Sequence, residues 1–236
     1  MKRPIASQGN PLDYKEIYET LFVFMDDVLF LFKPFSVNTI GNPITGEDDI
    51  TQDLEKILNN HAQKNNQSFA FQNQHKEGKY STDISVYKLN TYYEDFCWIE
   101  AKRLPIPDGG KNRDEREYVF VSPEKKENGK KKFKGNGGIQ RFKEGKHAPE
   151  LDYSIMIGYI QENDTNYWLS KINGWITELA SLENGFWSIK DCLKKYDSNK
   201  CDRFLSTHKR KDKKPITLHH YWIKLINKQY GKETNS

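Results

Sequence analysis

The stretch "FCWIEAKRL", residues 96–104, is the most informative segment for the fold, because an apolar run ends there in a carboxylate and an ammonium group two positions apart. Side chains at positions i and i+2 of a β-strand lie on the same face, so Glu100 and Lys102 should project together. The preceding segment "STDISVYKL", residues 81–89, also has strand character, and the connection "NTYY" (90–93) is short enough for an antiparallel hairpin. We therefore predict a hairpin that carries acidic and basic groups at one end.

The pairing of these two strands can be predicted from their patterns. A register that places Asp83 opposite Glu100 puts Asp83, Glu100 and Lys102 on one face of the hairpin. The other face then carries apolar cross-strand pairs: Ile84 with Ile99, and Val86 with Cys97. Two carboxylates can hold a hard divalent cation, which polarises a phosphate and activates a bound water. A neighbouring lysine can orient that water or offset the charge of the transition state. A surface ion cluster is the alternative interpretation of the same residues.

These residues resemble the PD-(D/E)xK nuclease superfamily. Asp83 in "YSTDISVY" and Glu100 with Lys102 in "WIEAK" match its motif, although Thr82 stands where the family name has proline. The family often adds a carboxylate from a preceding helix, and "GEDDITQDLEKIL" (46–58) offers Glu47 for that role. Asp48 and Asp49 are the alternatives, and acids in a first helical turn also favour the helix dipole without any active site.

The resemblance implies a function and a set of roles. Asp83, Glu100 and Glu47 would hold Mg²⁺, or Mn²⁺ in its place, and Lys102 would position the attacking water. The expected activity is metal-dependent cleavage of DNA by an endonuclease, with RNA as the open alternative substrate. The implied setting is a bacterial restriction or antiphage defence system, in which a regulatory or sensor protein or homo-oligomer formation controls the enzyme. The competing hypothesis is a catalytically inactive subunit of the same fold that binds nucleic acid or joins a complex.

The remaining sequence predicts one α/β domain over residues 1–236. Its predicted element order is α-α-β-β-β-loop-α-β-α-β-β, with a restriction-endonuclease-like mixed β-sheet flanked by helices and a C-terminal β-hairpin. Helices are predicted at 11–33, 47–64, from about residue 139 and at 166–182, a buried central strand at 153–161, and the hairpin strands at 201–210 and 215–226. Residues 105–137 are rich in Lys and Gly and predict a long loop, with one short strand at "REYVFV" (116–121).

The charge distribution favours a polyanionic partner. The formal net charge is +4, but residues 123–146 contain eight Lys and one Arg against three Glu, and residues 207–214 carry a net +4. Such blocks bind phosphate backbones without reading bases, although they also occur as solvated loops. The side chains predicted to contact nucleic acid are Lys131, Lys132, Lys134, Gln140, Arg141, Lys143, His147, His208, Arg210 and Lys211.

Several other classes of function are not supported. The sequence has no apolar run long enough for a membrane span, no secretory signal, and three cysteines without zinc-ligand spacing, which together favour a cytoplasmic protein with no membrane partner. It also lacks a P-loop, a G-x-S-x-G nucleophile motif and an H-E-x-x-H metal motif.

Overall fold

A mixed β-sheet with helices on both faces forms the framework of the protein. The structure, a computed structural model, describes residues 14–32, 47–74, 76–77, 80–89, 94–104, 115–120, 124–127, 130–132, 137–182, 185–198, 200–210 and 213–225. Four α-helices lie in this part of the chain: α1 (Tyr14–Leu31), α2 (Glu47–Lys64), α3 (Gly138–Lys143) and α4 (Thr165–Ala180). None of the described helices is both long and apolar enough to cross a membrane.

Seven strands form the main sheet, in the order β1-β4-β5-β8-β11-β10-β9. Their bounds are β1 (Phe69–Asn73), β4 (Ile84–Lys88), β5 (Asp95–Leu104), β8 (Tyr153–Ile160), β9 (Lys194–Lys195), β10 (Asp202–Arg210) and β11 (Lys213–Lys224). The central strand β8 runs parallel to both β5 and β11, whereas the β1–β4, β4–β5, β10–β11 and β9–β10 pairs are antiparallel. Two small hairpins lie outside this sheet: β2 (Lys76–Glu77) with β3 (Tyr80–Ser81), and β6 (Glu124–Glu127) with β7 (Lys130–Lys132).

Two apolar cores, one on each face of the sheet, hold the helices in place. On one face, α1 and α2 pack against inward residues of the strands, including Ile84, Ile99 and Ile157. On the other face, α3 and α4 pack around Trp98, Met156 and other side chains of the same strands. The strands β5 and β8 therefore contribute to both cores, which explains why their sequences are nearly continuous apolar runs.

The predicted register of the β4–β5 hairpin is confirmed. Ile84 pairs with Ile99 and Val86 with Cys97, and all four side chains are fully buried in the core shared with α1 and α2. A register shift follows Val86, so that Tyr87 pairs with Asp95. The predicted connection 90–93 lies outside the described residues.

The prediction of an α/β protein with a mixed sheet and a C-terminal hairpin is also confirmed. Strands β10 and β11 form that hairpin, and the register Ser206↔Leu218 lies near its middle. The predicted central strand is β8, which is buried almost throughout.

The prediction of a short strand at 116–121 is wrong. Residues Glu115–Tyr118 form a 3₁₀ helix instead, and the N–H groups of Val119 and Phe120 both donate to the carbonyl of Arg116 at 2.8 Å. The turn satisfies the backbone locally while Tyr118, Val119 and Phe120 enter the core shared with α3 and α4. The predicted loop 105–137 therefore contains an anchored turn as well as the β6–β7 hairpin.

Candidate functional site

The candidate site lies where β5 extends beyond the end of β4. Strand β4 pairs with β5 only as far as Ile99, while β5 continues alongside β8 to Leu104. The backbone N–H groups of Ala101 and Arg103 consequently have no β4 carbonyl to bind. Two carboxylates take that place: Oδ2 of Asp83 accepts from Ala101 at 2.7 Å, and Oε2 of Glu47 accepts from Arg103 at 2.9 Å.

The sequence explains why these two acids reach the same strand. Asp83 directly precedes β4, and the hydroxyl of Thr82 donates to the carbonyl of Ile99 at 2.8 Å, which holds the entry to the strand against β5. Glu47 is the first residue of α2, whose buried positions Ile50 and Leu54 fix the helix on the sheet. The helix thus presents its N-terminal acid to the open end of the hairpin. Asp48 and Asp49, the alternative candidates, are exposed.

Lys102 is at the centre of the site. Its Nζ lies 2.8 Å from Oε1 of Glu100, 3.2 Å from Oε1 of Glu47 and 4.0 Å from Oδ2 of Asp83. Burial opposes the charge of this ammonium group, but Glu100, Asp83 and Glu47 outweigh it and raise the pKa of Lys102 above its usual range. Three carboxylates from three separate segments of the chain therefore surround one buried positive charge.

Glu100 is almost completely buried, with 1% of its surface exposed. Besides Lys102, Arg141 contacts it through Nη1, 3.1 Å from Oε1, and His147 through Nε2, 3.1 Å from Oε2. Burial works to raise the pKa of Glu100, yet Lys102, His147 and Arg141 hold it well below its usual range. The three cations thus favour the charged form of Glu100 in the interior.

Asp83 has the opposite electrostatic character. Burial is the main reason that its pKa is raised to about 7, and the neighbouring negative charge of Glu100 adds to the effect. Lys102 and the Ala101 N–H group act against it without cancelling it. Two carboxylates in one site with pKa values pushed in opposite directions are a recurring property of catalytic centres.

The types of donor in this cluster fit a hard divalent cation, because all three acids offer carboxylate oxygens. The described residues nevertheless contain no group of three or more His, Cys, Asp or Glu side chains arranged to hold a metal ion. The ammonium group of Lys102 instead lies among the carboxylates, within 2.8–4.0 Å of each. The space between the three carboxylates is therefore occupied by a positive charge, which in this structure is the ammonium group of Lys102.

Three of the four predicted nucleic-acid contacts on the segment 138–147 are Gln140, Arg141 and His147, and the last two lie next to Glu100. Arg141 is 28% exposed at its side chain and contacts Glu100, as His147 does. Gln140 is 7% exposed and donates through Nε2 to Oε1 of Glu144. The link from Arg141 and His147 to Glu100 spans more than forty residues of sequence, and no local pattern could have revealed it.

Three further residues of that predicted set are buried and bonded internally. Lys143 binds Asp191, His208 contacts Asp191 and Ser206, and Arg210 donates to backbone carbonyl groups of residues 148, 149, 151 and 214. Strand alternation correctly predicts that Ser206, His208 and Arg210 share a face of β10, but that face points into the core. These side chains are not available to a DNA backbone in this structure.

The remaining predicted contacts are lysines of the basic segments. Lys131 and Lys132 belong to β7, for which only the backbone is described, and Lys134 and Lys211 lie outside the described residues.

Comparison with protein-family models, with curated proteins and with solved structures gave no significant match.

Proposed function

We propose that the protein is a metal-dependent endonuclease that hydrolyses DNA phosphodiester bonds, with a restriction-endonuclease-like core. The observation that carries this proposal is the convergence of Glu47, Asp83 and Glu100 on the ammonium group of Lys102 at the end of the β4–β5 hairpin. Acidic groups and one lysine at a sheet end match the requirements of phosphodiester hydrolysis, which needs cation ligands and a group that orients water.

Each residue has a distinct role in the proposed mechanism. Asp83 and Glu100, assisted by Glu47, would hold Mg²⁺ or Mn²⁺, which supplies phosphate polarisation and lowers the pKa of a bound water. Lys102 would orient the attacking water. Arg141, which bridges buried Glu100 and the solvent-exposed side, offsets negative charge on the phosphate.

The other lysines of the two basic segments, 123–146 and 207–214, would hold the DNA backbone without reading its sequence, whereas Lys143, His208 and Arg210 are buried and take no part in this contact. A bacterial defence system with a controlling partner protein stays part of the proposal on the strength of the sequence resemblance alone.

The proposal is tested by cleavage of supercoiled and linear DNA with Mg²⁺, Mn²⁺ or EDTA. We expect metal-dependent cleavage by the unaltered chain, and a loss of at least about 100-fold in rate for Asp83→Asn and Lys102→Met, since each removes a group that acts on the reacting phosphate or water. Glu47→Gln should lower the rate as well. Asp48→Asn, one position along the same helix turn and exposed, is the matched control and should cleave normally.

The second candidate is a binding subunit without catalytic activity. It is favoured by one observation: the charges of the cluster are internally paired, as in a structural ion network. DNA binding that is unaffected by Asp83→Asn, with no cleavage under any metal, would establish this candidate in place of the nuclease.

A further inference from the structure

A buried chain of hydrogen bonds ends at Asp191, the carboxylate that also binds Lys143 of α3. Its bonds are Trp222 Nε1 to Tyr118 Oη (3.0 Å), Tyr118 Oη to His220 Nδ1 (2.8 Å), His220 Nε2 to Ser206 Oγ (2.7 Å), Ser206 Oγ to His208 Nε2 (2.6 Å) and His208 Nδ1 to Asp191 Oδ1 (2.9 Å). All six residues are at most 3% exposed. Neither the sequence motif nor the proposed chemistry uses any of them.

The direction of this chain is fixed at its Asp191 end. A carboxylate only accepts, so His208 donates from Nδ1, and its neutral ring accepts at Nε2 from the hydroxyl of Ser206. The Ser206 oxygen then accepts from Nε2 of His220, whose Nδ1 accepts from the hydroxyl of Tyr118. The Tyr118 oxygen in turn accepts from the indole N–H group of Trp222. Burial lowers the pKa of both His208 and His220, which favours the neutral imidazoles that this direction requires.

Asp191 accepts the last hydrogen bond of this chain and also binds Lys143 of α3, so it links the chain to the helix. Its two oxygens lie 2.9 and 3.0 Å from Nζ of Lys143, a side chain that is 1% exposed. The N–H group of Ser188 donates to Oδ2 at 2.8 Å, in a capping box that fixes the 3₁₀ turn Ile189–Asp191. The carboxylate is therefore held from three directions and cannot move independently of the β10–β11 hairpin.

The short helix α3 lies between two buried carboxylates. It has six residues, and its N-cap Gly137 provides no side-chain hydrogen bond, so it depends on tertiary contacts for its position. Arg141 and Lys143 are two positions apart and point to opposite sides of the helix. Arg141 contacts Glu100 on one side, and Lys143 contacts Asp191 on the other.

We propose that Asp191 is a positioning residue of the candidate site, which holds α3 through Lys143 so that Arg141 stays against Glu100. The catalytic part of this inference rests on the proposed nuclease function. The structural part, the dependence of the Arg141–Glu100 contact on Asp191, does not.

The experiment uses the full chain and compares Asp191→Asn with Asp26→Asn. Asp26 is a control of the same type, because this α1 residue forms a partly buried ion pair at 2.7 Å with Arg203 of β10 and not with α3. The first readout is the guanidinium NMR signal of Arg141 in ¹⁵N-arginine-labelled protein, assigned with Arg141→Lys. We expect Asp191→Asn to move this signal toward that of a solvated arginine and Asp26→Asn to leave it in place.

The second readout is kcat and KM for DNA cleavage, where Asp191→Asn should lower kcat about tenfold to 100-fold with little change in KM.

Both proposals can fail separately. If the unaltered chain cleaves no DNA, the nuclease proposal fails while the NMR comparison still decides the role of Asp191. If Asp191→Asn leaves the Arg141 signal and kcat unchanged, or if Asp26→Asn alters them equally, the positioning role is refuted. Should Asp191→Asn not fold, Lys143→Met replaces it, since His208 and Ser188 still hold the carboxylate.

¹⁵N spectra must also show His208 protonated on Nδ1 and His220 on Nε2; the reverse tautomers would contradict the hydrogen-bond direction.

Discussion

At the scale of single residues, two carboxylates of the candidate site have a structural role. Asp83 and Glu47 accept from the two β5 N–H groups that β4 leaves unpaired. A carboxylate held by a backbone donor is fixed in position before any ligand arrives, which favours a preorganised site. The same bonds mean that substitution by alanine would disturb the hairpin, so isosteric amides are the more informative changes.

The raised pKa of Asp83 predicts a specific dependence of stability on pH. Its ordinary pKa is 3.8 and its folded value is about 7, so between these values the native state binds a proton that the unfolded state does not. The contribution of Asp83 to the free energy of unfolding therefore falls as pH rises toward 7, and stays low above it. Asp83→Asn keeps an acceptor for Ala101 and removes the charge. We expect its melting temperature, relative to the unaltered protein, to increase between pH 4 and pH 8.

Thermal unfolding of both proteins across this range, in EDTA, measures the effect. Glu178→Gln, a change at an exposed acid on α4, is the control and should show no such trend. A constant difference between Asp83→Asn and the unaltered protein at all pH values would contradict the raised pKa.

At the scale of elements, α3 is placed by close backbone contact as well as by its two cations. A Cβ atom at Gly137 would lie 2.1 Å from Cα of Phe120, so the start of α3 and the turn at 115–120 touch directly. Neither segment shows in its own sequence that it contacts the other. The strand predicted at 116–121 is wrong for a similar reason, because the hydrogen-bond partners of Tyr118 lie about one hundred residues later in the chain.

Two glycine substitutions should have opposite effects on stability. Gly137→Ala must displace backbone, and we expect it to destabilise the protein by about 1–3 kcal/mol, as overpacking does. Gly174→Ala, on the exposed side of α4 with nothing within 4 Å of the new Cβ, should stabilise it by about 0.5–1 kcal/mol through helix propensity.

Chemical denaturation of both variants measures these changes. Gly137→Ala with unchanged stability would show that α3 does not contact the 115–120 turn so closely. Because the turn carries Tyr118, the same variant should also broaden the NMR signal of the His220 imidazole, which Gly174→Ala should not.

At the scale of the whole molecule, the positive charge is concentrated in segments rather than spread over the surface. The net charge of +4 conceals a net +6 within residues 123–146. Polyanion binding depends on such local density, because each neutralised phosphate releases counterions.

The salt dependence of DNA binding tests this distribution. Lys131→Gln, Lys132→Gln and Lys134→Gln combined should weaken binding and reduce the slope of log K against log salt by about 2–3, or about 0.9 for each lost phosphate contact. The control combines Lys56→Gln, Lys190→Gln and Lys195→Gln, three exposed lysines outside the basic segments, and removes the same charge. An equal loss of DNA affinity in both triple variants would show that binding depends only on the total charge of the protein.

The sequence by itself determined the elements and the local geometry of the hairpin. Alternation is a property of neighbouring residues, so it predicted that Ile84 faces Ile99 and that Glu100 and Lys102 share a face. Glu47 became a candidate through the resemblance to the nuclease superfamily, since an acidic first turn by itself indicates only a favourable helix dipole.

Only the tertiary structure decided which polar side chains are buried and what they bind. His208 and Lys143 look like solvent-exposed cations in the sequence, yet both bind Asp191 in the interior. Arg141 likewise looks like a surface cation and instead pairs with Glu100. The physical reason is that a buried charge requires a partner, and that partner comes from whichever segment the fold brings near, at a sequence distance that no local pattern encodes.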